Sequence, residues 1–157
     1  MRQSSARAMR IALLAPPVLP VPPVRYGGTE RIVAELARGL HRAGHEVTLF
    51  GPGDSRIAGR VVPTVAHSIW RAGAQLEPEP HLQWTAELAE RHADEFDLIH
   101  SHIEANAFEF ARRSPTPFVS TIHGRVDCGP TAEGLALYPD ANVVAISHSS
   151  AVNERPW

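Results

Sequence analysis

The sequence predicts a doubly wound α/β domain: a mainly parallel sheet of about six strands with helices on both faces. Three features carry that expectation. Short, continuous apolar runs recur along the chain, helix-period segments alternate with them, and glycine, proline and aspartate mark the breaks. The 157 residues suit one domain, and a chain of that size buries roughly 68–70% of its unfolded surface with no disulfide or metal staple.

Arg10 to Ala15 is a continuous apolar run and reads as a first strand buried on both faces. Pro16 to Arg25 holds five prolines, which deny the backbone both helix and ladder and predict an extended, polyproline-like loop. Ile32, Val33, Leu36, Ala37, Leu40 and Ala43 then recur at helical spacing, with Thr29 as the expected N-cap and Gly44 just past the end. His45 to Phe50 reads as a second strand closed by the turn Gly51 to Ser55, and Arg60 to Val65 as a third. Residues 66–80 show no clear period, whereas Leu82, Ala86, Ala89 and Ala93 share one face of a helix expected over about 81–95. Asp97 to Ser101, Phe118 to Ile122 and Asn142 to Ile146 complete the strands. A short helix is expected over Glu104 to Arg113, and Ser147 is placed to cap another that Pro156 ends.

Residues 1–8 read as a disordered extension ahead of Met9. The apolar run at Ile11 is too short for a signal peptide and prolines break it at once. No run approaches the ~18 apolar residues of a membrane span. A net charge of −2 gives no electrostatic case for nucleic acid, and peripheral membrane contact is the most that composition allows. All fifteen basic residues are arginine, so a lysine phosphate loop, a pyridoxal Schiff base and any lysine base are excluded. The lone Cys128 cannot form an internal disulfide and reads as a buried or semi-exposed bystander suited to a reducing, cytoplasmic setting.

Ligands of such sheets bind outside the carboxyl ends of the strands. Gly27 and Gly28 stand there, where a long helix begins and unpaired N–H groups point outward. They permit a tight turn, and they are also placed to meet a diphosphate. Their position, a dozen residues beyond the first strand and without a G-x-G-x-x-G spacing, argues against a nicotinamide or flavin fingerprint. His100 and His102 flank Ser101 at a strand end, and a period of two places both rings on one face. Two imidazoles without a third ligand at a set spacing do not make a metal site, so His100 is expected half-buried and His102 lining the cleft. His123, Gly124 and Arg125 emerge from another apolar strand at the same edge, and Glu104 and Ser147 follow strand ends of their own. His123 is either structural or a donor or acceptor to a sugar hydroxyl or phosphate.

The strand at Arg10, Tyr26-Gly27-Gly28-Thr29-Glu30, Gly44-His45-Glu46-Val47, Asp97-Leu98-Ile99-His100-Ser101-His102, Thr121-Ile122-His123-Gly124 and Ala145-Ile146-Ser147, in that order, resemble the N-terminal domain of family 4 retaining glycosyltransferases. The resemblance implies a Rossmann-like fold that is half of a two-domain GT-B architecture. It further implies a nucleotide-diphosphate sugar as donor substrate, an acceptor hydroxyl, no metal and no other cofactor. Gly27 and Gly28 would lie against the donor diphosphate and His123 near the transferred sugar as the catalytic residue. His102, Glu104, Gly124, Arg125 and Ser147 would line the acceptor side of the cleft. A C-terminal domain with paired glutamates eight residues apart and a basic diphosphate clamp would face this one, and residues 9–157 do not contain it. Glu87 and Glu95 have that spacing but fall on an expected helix of this domain and read as a solvated face. The isolated chain is then expected to be inactive. The competing readings are a non-catalytic sugar- or nucleotide-binding protein and another Rossmann-type enzyme; a dehydrogenase or nucleotide-sugar epimerase would need a glycine fingerprint or a Tyr-x-x-x-Lys pair, and without lysine the chain lacks the second.

Overall fold

A computed structural model describes residues 7–71 and 77–147. Residues 1–6 of the expected extension, residues 72–76, and the helix expected after Ser147 lie outside them. The strands are β1 (Arg10–Leu14), β2 (Glu46–Pro52), β3 (Arg60–Val65), β4 (Leu98–Ser101), β5 (Phe118–Ile122) and β6 (Val143–Ala145). The helices are α1 (Gly28–Arg42), α2 (Pro78–Arg91), α3 (Phe108–Arg113) and α4 (Gly129–Leu137). The strands form one parallel sheet in the order β3-β2-β1-β4-β5-β6. All carboxyl ends therefore share one edge, and the chain order reverses between β1 and β4, where such sheets bind ligands.

Alternation along β1 sorts the core into two layers. Ile11, Leu13 and Ala15 pack with Val33, Ala34 and Ala37 of α1 and with Val21 of the proline loop. Ala12 and Leu14 face the other way, against Ala86 and Ala89 of α2, Phe96, and Phe110 of α3. A strand whose alternate residues both meet helices is apolar throughout, which is why β1 showed no polar alternation. The proline loop is pinned by backbone bonds from Ile69 to Pro17 (3.0 Å) and from Arg56 to Val21 (2.7 Å).

Several boundaries differ from expectation. Thr29 is not the N-cap: Gly27 holds that position with no side-chain cap, and Thr29 lies within the first turn. The helix expected over 81–95 starts at Pro78, stops at Arg91 and is followed by a separate 3₁₀ turn at Ala93–Glu95. That expected over Glu104 to Arg113 is a 3₁₀ turn, Glu104–Ala107, running into α3. Helix α4 was not expected from the sequence. Gly134 is there for closeness: a Cβ on it would lie 2.4 Å from Ala105 Cβ. Cys128 is exposed rather than buried. Glu95 is an ion-pair partner of Arg60 (2.9 Å) and His92 (2.6 Å).

Candidate functional site

The carboxyl edge at β4 and β5 carries three histidines in a column. The His102 amide donates to the carbonyl of Leu14 (2.9 Å), which fixes it across the β1–β4 switch. Its ring stacks on His100 with centroids 4.4 Å apart. Nδ1 of His102 lies 2.9 Å from Nε2 of His123, and Nε2 of His100 lies 2.7 Å from Thr121 Oγ1. The period of two did bring His100 and His102 onto one face. His102, however, is only 1% exposed and forms the floor beneath the cleft instead of lining it. The ring nitrogens engage each other and Thr121 instead of converging on a point; among the described residues no cluster of three or more His, Cys, Asp or Glu side chains is arranged to hold a metal ion.

Burial keeps these rings neutral. Desolvation, reinforced by its neighbours His100 and His123, lowers the His102 pKa to about 3, and burial lowers those of His100 and His123. One proton therefore lies between His102 Nδ1 and His123 Nε2. Nε2 of His102 is buried without a partner, and an orphaned buried N–H is the rarer, costlier defect than an orphaned lone pair. The proton belongs on His102 Nδ1, which donates to His123. Neutral His123 then carries its own proton on Nδ1, which has no partner among the described residues. Long-range ¹H–¹⁵N correlation at pH 7 is expected to show His123 as the Nδ1–H tautomer; an Nε2–H signal would refute the assignment.

The remaining candidates separate. Glu104, with φ at 52° in the left-handed region, turns its carboxylate under the loop after β5, where Oε1 accepts from the His123 and Gly124 amides (2.9 and 3.1 Å). Oε2 is buried without a partner, and burial raises the Glu104 pKa against those two bonds. Glu104 thus holds the loop rather than facing the cleft. Arg125 closes an exposed two-bond pair with Asp127 (2.9 and 2.6 Å), so its charge is already matched. Gly124 is exposed next to His123, and Ser147 is exposed two residues beyond β6.

The two glycines at the start of α1 also differ. Gly27 has φ at 137°, and a Cβ on it would lie 2.8 Å from Pro23 and 2.9 Å from a Glu30 carboxylate oxygen. The space that a side chain on Gly27 would need is therefore filled by the protein. Glu30 is 6% exposed, and burial raises its pKa. Gly28 is exposed, with nothing within 4 Å of a Cβ. Of the two glycines, Gly27 is buried and Gly28 is open to solvent.

A family model described as Glycosyltransferase Family 4 matches residues 26–152, most of the chain. The chain belongs to glycosyltransferase family 4. No curated protein matches it significantly.

The match to this glycosyltransferase family begins at Tyr26 and takes in the glycine turn, the histidine column and the loop after β5. Sequence reasoning missed two features of the family 4 domain. The burial of Glu30 was one, because nothing local says that Pro23 and Glu30 close together around Gly27. Trp70 and Arg71 sat in a stretch without a period, although a tryptophan and an arginine side by side in a loop at a strand end were a usable signal.

Proposed function

We propose that this domain is the acceptor-side wall of a site where a sugar passes from a nucleotide-diphosphate donor to an acceptor hydroxyl. Transfer proceeds with retention of anomeric configuration and needs no metal or other cofactor. The observation that carries the reading is the family 4 match over a domain whose carboxyl edge holds both His123 and Gly28. In this reading His123 donates its Nδ1–H to a hydroxyl of the transferred sugar, and the Gly28 amide meets the diphosphate at the positive end of α1. His102 and Glu104 act through His123, fixing its tautomer and its backbone. The diphosphate departs from the face that the acceptor enters, and stabilising it takes cationic groups that the second domain implied by the family architecture supplies.

Purified 1–157 incubated with UDP-, GDP- and ADP-sugars is expected to release no nucleotide diphosphate above background; measurable turnover would overturn the half-site reading. In calorimetric titrations with the same sugars, Gly28→Val is expected to weaken binding about tenfold or more, the scale of one charge-assisted bond. Equal binding by both proteins would remove Gly28 from the diphosphate site.

A further inference from the structure

The carboxyl edge has a second half, on the β1, β2 and β3 side, that the histidine column does not use. A groove of about 730 Å³ runs there between the proline loop and the loops after β2 and β3. That volume is in the range of small-molecule sites. Its apolar walls are left open: Val24 is 88% exposed, Tyr26 77% and Trp70 61%. Aromatic faces so exposed at a ligand-binding edge are a feature of recognition surfaces.

Its charge is one-sided. Arg25, Arg56 and Arg71 line the groove with a single carboxylate, Asp54. Arg25 has no acidic partner among the described residues, and the Arg56 guanidinium donates to the carbonyls of Gly53 and Ser55. Arg71 reaches Asp54 at 3.5 Å, but Asp54 already accepts from the Ser68 amide and hydroxyl at 2.9 and 3.0 Å. Other described arginines outside the groove also lack a carboxylate partner, Arg31 and Arg91 among them; what sets the groove apart is three guanidinium groups gathered around one carboxylate. In a chain of net charge −2 this is a local excess of cation facing an apolar slot. The Ser68 hydroxyl is committed to Asp54, so the slot offers little to match a hydroxyl-rich ring.

We propose that this groove binds the acceptor, and that the acceptor is a small molecule with an apolar or aromatic body bearing a phosphate or carboxylate. The body lies between Tyr26 and Trp70, and the anion meets Arg25 and Arg71. The assignment rests on the acceptor-wall reading above, but its test involves no nucleotide and no transfer, so either can fail alone.

The full 157-residue chain is titrated with 2-naphthyl phosphate and with neutral 2-naphthol, following heat and tryptophan fluorescence. The phosphate is expected to bind about tenfold or more tightly than the naphthol. Arg25→Ala/Arg71→Ala should remove that advantage and leave naphthol binding unchanged, while Trp70→Ala should weaken both. These side chains are exposed, and an unchanged unfolding midpoint shows that each variant is folded. Equal affinity for the two probes, or insensitivity to the arginine substitutions, would overturn the proposal. So would binding to phosphatidylglycerol vesicles without binding of the soluble phosphate, which would make the face a membrane contact.

Discussion

Lowering the pH from 7 to 4 is expected to cost this domain about 3 kcal/mol of folding stability through His102 alone, and about 4 kcal/mol by pH 3. His102 titrates at about 3 in the folded domain because it is desolvated and lies against two other imidazoles, stacked on His100 and hydrogen-bonded to His123. In the unfolded chain it takes its proton near the ordinary histidine value of 6.5. A basic group with a depressed folded pKa leaves stability intact above the unfolded value. That stability is lost as pH falls, because the unfolded state binds the proton first. His100 and His123, also lowered by burial, act in the same direction. Glu30 and Glu104 oppose them: burial raises both, so their contribution is fully present below about 4.5 and is lost as pH rises. They offset part of the loss as the pH falls toward the ordinary carboxylate value. Urea-unfolding midpoints from pH 7 to 4, for wild type and His102→Phe, test this. A wild-type stability independent of pH, or an equal loss in His102→Phe, would show that the column is not responsible.

Gly27→Ala is expected to destabilise the domain by about 2–4 kcal/mol, while Gly28→Ala changes stability by no more than about 1 kcal/mol and in the stabilising direction. At Gly27 the backbone sits at φ 137°, which an L side chain rarely adopts, and the new methyl meets Pro23 on one side and the Glu30 carboxylate on the other. Neither neighbour can retreat easily: Pro23 is part of a loop tied to β2 and β3, and Glu30 is 6% exposed. At Gly28 a methyl enters open space at the start of a helix. Thermal or urea unfolding of the two variants decides the matter. Equal effects would mean that the turn is softer than its packing indicates.

The contrast between these adjacent glycines shows what kind of information the sequence held. Both were legible as a turn opening a helix, because glycine is the residue that tolerates such backbone. Which of them is packed and which is open depends on Pro23 folding back, a contact made by the loop as a whole. His100 and His102 were legible as sharing a face, since the period of a strand puts them there. The burial of His102 was not, because the roof over it comes from His123, twenty-one residues on and carried by β5. Glu104 was read as a cleft residue from its place after a strand. Its left-handed backbone aims the carboxylate at two amides of another loop, and no local pattern announces a left-handed glutamate.

By itself the sequence determined the class of fold, the six strands and three of the four described helices, since these follow from the period at which apolar residues recur. It also determined the edge on which chemistry would sit, because parallel strands put all their carboxyl ends together. Tertiary structure alone decided what lies on that edge. It paired His102 with His123, turned Glu104 inward, filled the space over Gly27, and joined Tyr26, Trp70 and three arginines from separate loops into a groove. The physical reason is the same in each case. Periodicity reports which residues leave water within one element, whereas a site is made of contacts between elements, whose geometry is fixed only when the sheet and its loops close together.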